Sequence, residues 1–184
     1  ATQGYSTVFV RAYTPTGNGA YDPYACPNIH NAYPCIGSEV FMTPQPQSTK
    51  PGYVQFDEMY SGLKNGGVTM TSAWLQVVSP THWNDVNSNI AFIQSILARM
   101  RQYGIKPGIY TSQYDWNAIT GNWAGAGSDV MLWYYHAPSD ATFADFVPFG
   151  SWQFPTVKQY SQRLTICGLT VNQDIYISPS PNYA

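Results

Sequence analysis

The chain has 184 residues, of which 10% are charged and 16% aromatic, with 15 Tyr, 6 Trp and a formal net charge of −2. A charge this small excludes a general electrostatic pull toward nucleic acid or an anionic membrane, and no apolar run approaches the ~20 residues of a helical membrane span. The length suits one domain, 1–184, that buries roughly 70% of its unfolded surface.

The first strand-like run is 7–13, where Phe9, Arg11 and Tyr13 alternate with Val8, Val10 and Ala12. Cys26 and Cys35 follow in a segment that holds His30 and has helical character. On a continuous helix nine residues would separate the two cysteines by about 13 Å, too far to bridge. Pro27 and Pro34 interrupt the segment, so a Cys26–Cys35 disulfide is expected, with Cys167 left over. Such a bond places the chain in an oxidising compartment, either secreted or luminal. In the run 37–42, Glu39 and Phe41 alternate with Val40 and Met42. A Pro-rich loop, 43–51, leads to Phe56, Met59, Tyr60 and Leu63 at helical spacing. Next is 68–78, where Trp74, Gln76 and Val78 alternate with Ala73, Leu75 and Val77. The strongest helical pattern is 86–103, through Val86, Ile90, Ile93, Leu97 and Met100, with Gly104 as its stop.

Runs at 105–111 and 130–135 follow, and beyond Ile119 the helical signal fades. The stretch 120–127 is Gly-rich, 138–145 has room for one short helix, and 146–155 is loop-like. The last runs are 156–161 and 169–177. Strand–helix–strand order predicts an α/β chain with a mostly parallel sheet. The expected form is a single irregular β/α (TIM-like) barrel with helices missing in the C-terminal part. Seven strands are counted where a closed barrel takes eight, and a first strand upstream is the simplest account.

Several segments together resemble the glycoside hydrolase family 25 lysozymes, in particular their secreted nematode and protist branch. They are Gly4-Tyr5-Ser6-Thr7-Val8-Phe9-Val10-Arg11-Ala12-Tyr13, Glu39-Val40-Phe41-Met42-Thr43-Pro44-Gln45-Pro46, Trp74-Leu75-Gln76-Val77, Gly108-Ile109-Tyr110-Thr111, Leu132-Trp133-Tyr134, Lys158-Gln159-Tyr160-Ser161 and Asn172-Gln173-Asp174-Ile175-Tyr176. The resemblance implies an irregular β/α barrel that hydrolyses the β-1,4 bond between N-acetylmuramic acid and N-acetylglucosamine in peptidoglycan, without a metal or organic cofactor. Peptidoglycan, or another glycan containing N-acetylglucosamine, is the implied partner. The family's acids come from a first strand, from a D-x-E on a middle strand and from an Asp on the last. The last carries over onto Asp174. The D-x-E positions fall on Gln76 and Val78, and the first would precede Ala1.

Glycoside hydrolysis needs two carboxyl groups, ~5 Å apart for retention or ~6.5–9.5 Å for inversion. In a barrel the apolar face of each strand meets the helices, which leaves Glu39 and Asp174 as the strand carboxylates that face inward. They are the catalytic candidates. A neighbouring Arg11 would instead make Glu39 half of a buried ion pair, with its pKa lowered, the wrong direction for a general acid. Asp174 has a plainer alternative in tying down the last strand. Gln76 and Gln159 suit hydrogen bonds to sugar hydroxyl or acetamido groups, or a polar interior. Tyr13, Tyr110, Trp133, Tyr134 and Tyr160 lie at or near strand ends, where rings stack on sugars or simply pack the core. His30, His82 and His136 have no ligand spacing, so no metal is expected, and the nucleophile elbow G-x-S-x-G is absent. Three functions remain open: an active muramidase, a glycan-binding barrel that has lost its acids and, on the Tyr, Trp and Pro content alone, a structural or storage protein.

Overall fold

Strand and helix alternate in the computed structural model, which describes residues 4–166 and 168–177. The order is β1 (Thr7–Thr14), a two-residue β2 (Ala20–Tyr21), α1 (Ala25–Ala32), β3 (Gly37–Met42), α2 (Gly52–Asn65), β4 (Ser72–Gln76), a 3₁₀ turn (Pro80–His82) and α3 (Val86–Gln102). Then come β5 (Lys106–Thr111), α4 (Gln113–Thr120), β6 (Met131–Tyr135), β7 (Val157–Ile166) and β8 (Leu169–Tyr176). All strands join one sheet in the order β2-β1-β3-β4-β5-β6-β7-β8. Neighbours from β1 to β7 are parallel, whereas the β1/β2 and β7/β8 pairs are antiparallel.

The sheet curls without closing. A closed barrel needs a backbone ladder between its first and last strands, and among the described residues none joins β8 to β1. Side chains meet there instead, Gln173 with Tyr5 and Tyr176 with Ser6. The architecture is therefore a mixed α/β half-barrel rather than a complete TIM-like barrel. The scarcity of helices late in the chain agrees with the sequence pattern: among the described residues no helix follows β6, and 138–145 is loop. The short α4 escapes that pattern. Its signal is the Ser112 side chain accepting from the Asp115 N–H while Ser112 Oγ donates to the Asp115 carboxylate, a capping pattern that starts a helix.

The core divides between the two faces of the sheet. Outside, Phe56, Met59 and Leu63 of α2 and Ile93, Ile96, Leu97 and Met100 of α3 pack on Val10, Val40, Ala73, Leu75, Ile109 and Leu132. The stripe on α3 is rotated from the expected one, because Val86 is exposed and the buried Asn89 amide caps the Asn84 and Ile119 carbonyls. Inside, Trp74, Tyr110, Met131, Trp133 and Val157 form a second cluster with Phe9, Phe41 and Tyr176 against it. Full burial of one such side chain stabilises by about 1.5–3 kcal/mol. The inner layer also explains Gly108: a Cβ there would lie 2.3 Å from the Trp74 ring.

Two expectations fail for local reasons. The Cys26 and Cys35 thiols are free, the first buried and the second exposed. Cys26 sits within α1, where its Sγ lies 3.0 Å from the Tyr21 hydroxyl and 3.8 Å from the Leu63 carbonyl. Cys35 falls past the end of that continuous helix, which points it to solvent. Cys167 lies outside the described residues. Tyr13 does not face inward, because a bulge between Arg11 and Tyr13 puts both Ala12 and Tyr13 on the helix side. There the Tyr13 hydroxyl donates to Glu58 at 2.8 Å.

Candidate functional site

The concave face of the sheet encloses a cavity of about 710 Å³, within the size range of sites that bury a small ligand. It runs between the start of β1 and the β7/β8 hairpin. Phe9, Phe41, Tyr110 and Trp133 give it an apolar floor, and Gln76, Gln159, Asn172 and Asp174 bring polar groups to its wall. Trp133 is the centre of the floor. Its ring lies 4.1 Å from Phe9, 4.6 Å from Tyr110 and 5.9 Å from Trp74, the last two edge-on. Those contacts fix the indole, and its Nε1 donates to Asp174 Oδ1 at 2.8 Å.

Register explains how these groups meet. Gln76 pairs with Tyr110, Tyr110 with Trp133 and Trp133 with Val157, which makes one level of the sheet. One step toward the C-terminal ends of the parallel strands, Tyr135 pairs with Gln159, and Gln159 with Asp174. Asp174 therefore stands at the end where catalytic groups of α/β barrels gather. Burial raises its pKa to about 7, with the Trp133 N–H pulling the other way. A carboxyl titrating there is half protonated near neutrality, as a general acid must be. The Thr43 hydroxyl donates to Gln76 Oε1 at 2.6 Å and orients that side chain at the same rim. In the sequence Thr43 reads only as the first residue of the Pro-rich loop.

Glu39 points inward as expected but does not join Asp174. It lies at the opposite, N-terminal end of the strands and lines a separate cavity of about 30 Å³ with Ser72. Its Oε2 accepts from Ser72 Oγ and Trp74 Nε1, both at 2.8 Å, while Oε1 has no partner. Burial raises its pKa, against those two bonds. Arg11 takes no part, because its guanidinium pairs with Asp22 at 3.1 Å. Trp74 donates its indole N–H to the buried Glu39 and Trp133 to the partly buried Asp174, and the two rings lie between the acids. Glu39→Gln keeps an acceptor for both donors and resembles the neutral acid. At pH 4, below the ordinary carboxyl pKa, where folded and unfolded chains both keep the proton, it should alter stability by less than about 1 kcal/mol, and it should leave any glycan turnover unchanged. Loss of turnover in this variant, with an unchanged urea melt, would place Glu39 in the reaction after all.

Two more expected rim residues lie elsewhere. Tyr134 alternates to the outer face and packs on Phe146 and Phe149. Tyr160 is partly exposed near Tyr5 and Asp174 and is not among the lining residues, because it directly follows the lining Gln159 and successive strand residues point to opposite faces. Tyr110, Trp133, Gln76 and Gln159 line the cavity as expected. Among the described residues no group of three His, Cys, Asp or Glu is placed to hold a metal ion.

Comparison with known proteins agrees with this geometry. A family model described as lysozyme-like protein 1 matches residues 1–160. The chain is 50% identical to lysozyme-like protein 7 of Caenorhabditis elegans across 95% of its own length, and spans 65% of that longer relative. It is 34% identical to probable GH family 25 lysozyme 2 of Dictyostelium discoideum, over 94% of this chain and 81% of that one. A family GH25 lysozyme structure from Aspergillus fumigatus superposes with a TM-score of 0.74 at 16% identity, covering 97% of this chain and 85% of the other. At that identity the likeness is one of fold.

Proposed function

This chain belongs to the lysozyme-like proteins of glycoside hydrolase family 25, and on that premise we propose that it is a muramidase. Its substrate is then the β-1,4 bond between N-acetylmuramic acid and N-acetylglucosamine in bacterial peptidoglycan, cut in defence or digestion. The observation that carries this reading is Asp174, a partly buried carboxyl with a pKa of about 7 that faces a cavity floored with aromatic rings. Asp174 is the proton donor to the leaving sugar oxygen, Trp133 holds it in place, and Phe9, Phe41 and Tyr110 offer ring surface to the sugar. A substrate that lies in bacterial walls sets the workplace outside the cytosol, either secreted or in a digestive lumen.

Asp174 is the one carboxyl among the described residues that line the cavity, whereas hydrolysis ordinarily takes two. Reducing-sugar release from purified peptidoglycan therefore decides the matter. Release that declines as pH rises through about 7 supports Asp174 as the acid. Wall binding without release would instead favour a glycan-binding protein on the same fold.

A further inference from the structure

Gln159 is almost wholly buried in the cavity wall, yet its Nε2 has no hydrogen-bond partner. A buried amide that leaves both its donors unmet is unfavourable, so what holds it in that orientation matters. Asn172, its neighbour on β8, supplies the answer. The backbone N–H of Arg163 donates to Asn172 Oδ1 at 3.2 Å, and a backbone N–H can only donate. That fixes which end of the Asn172 amide is oxygen and leaves Nδ2 to donate to Gln159 Oε1 at 3.3 Å. The Tyr110 hydroxyl donates to the same oxygen at 3.2 Å, and burial keeps that phenol protonated by raising its pKa. Turning the Gln159 amide over would set its NH₂ against the Asn172 NH₂. The relay starts at a residue with φ of 56°, a left-handed conformation that a non-glycine side chain adopts at a cost.

We infer that Gln159 is the specificity-determining donor of this cavity, recognising the carbonyl oxygen of a 2-acetamido group on the bound sugar, and that Asn172 is the residue that positions it. The inference rests on the glycan reading above and names the part of the sugar that is read. Gln159 Oε1 is already occupied by two donors, so the side chain offers hydrogen and takes none. A sugar hydroxyl at that point would bring a proton with no acceptor on Gln159, whereas an acetamido carbonyl brings acceptor capacity alone. The acetamido methyl then has apolar floor to lie on, at Phe9, Phe41 and Trp133. Gln159 and Asp174 are direct cross-strand partners, so the sugar held by its acetamido group stands beside the acid. A glycan without that group leaves Nε2 unpaired, and sites of this kind reject such analogues far more strongly than apolar pockets do.

The test compares two ligands of one backbone, the β-1,4 tetramer of N-acetylglucosamine and cellotetraose, which carries a hydroxyl in place of each acetamido group. Binding is read by titration calorimetry on the wild-type protein and on Asn172→Asp and Gln159→Met. The wild type should prefer the acetamido tetramer by at least about tenfold. Asn172→Asp still accepts from Arg163 but no longer donates, so the Gln159 amide turns its NH₂ toward the new carboxylate. The preference should then fall to near parity, as it should in Gln159→Met, with thermal melts confirming that each variant is folded. Asn172 is exposed, so its variant tests the relay even if Gln159→Met fails to fold. A preference retained in folded Asn172→Asp overturns the positioning role, and a wild-type preference below about threefold overturns the inference whole. Binding of neither tetramer, with no turnover of peptidoglycan, would sink the glycan reading itself.

Discussion

Asp174→Asn should abolish peptidoglycan turnover and, in the same molecule, make the fold more stable at neutral pH. The activity loss follows from removing the one ionisable group in the cavity wall that can hand over a proton near neutrality. The stability gain follows from linkage. The folded pKa of Asp174 is about 7 against an ordinary 3.8, so between those values the native protein keeps a proton that the unfolded chain has released. Native stability from this group is then complete below pH 4 and falls as pH rises toward 7, by up to roughly 4 kcal/mol in all. Asparagine still accepts the Trp133 N–H and carries no charge to bury. Urea unfolding of the two proteins at pH 4 and pH 8 reads the effect: near-equal midpoints at the lower pH, and a higher one for the variant at pH 8. A variant that is inactive but less stable at pH 8 would mean that Asp174 is charged and paired in the native state, and so unfit as the acid. Such a trade of stability for function is common where a site must hold a group in an unfavourable state.

How far this site could be read from sequence depends on which geometric quantity is asked for. Alternation correctly assigns the faces of Gln76, Val78, Glu39 and Asp174, because the period of a strand is fixed by its backbone. It does not give height along the barrel. Glu39 and Asp174 share the inward face but sit at opposite ends of it, and only the register, Phe9 with Glu39 at one end and Gln159 with Asp174 at the other, separates them. Alternation also fails wherever a residue is inserted. One bulge moves Tyr13 from the sugar side to the helix side, and nothing in Val10-Arg11-Ala12-Tyr13 announces it. The β7/β8 hairpin reaches Ile166, well past the run that sequence marks as strand, because Gln162 and Arg163 are exposed there and break the apolar signal. The family, by contrast, was legible from ordered segments spread along the chain. What neither pattern nor resemblance discloses is the orientation of an amide, and that is where the cavity's selectivity is placed.

Lys158→Met should be the most destabilising single change at a charged residue. Its ammonium is fully buried and donates to the Asp145 carboxylate at 2.7 Å and to the Asp140 and Thr142 carbonyls at 2.8 and 2.7 Å. Burial works against ionised Asp145, yet Lys158 and His136, the latter at 2.5 Å, hold its pKa below the usual value. Methionine fills the stem but satisfies none of the three acceptors. Breaking a buried pair from one side costs about 3–5 kcal/mol. Asp145 keeps His136 and is 31% exposed, so the lower end, about 3 kcal/mol, is expected. For a domain of this length that lowers Tm by about 6–12 °C. The pair is shielded from salt, so the loss should persist at 1 M NaCl, where surface pairs are screened out. Its consequence reaches the cavity: the anchored loop follows β6, which carries Trp133, and Lys158 is the chain neighbour of Gln159. At a temperature where the variant is still folded, acetamido-tetramer affinity should therefore also fall. A loss below about 1 kcal/mol would show that the three acceptors find other donors once the ammonium is gone, and that the loop does not depend on β7 for its position.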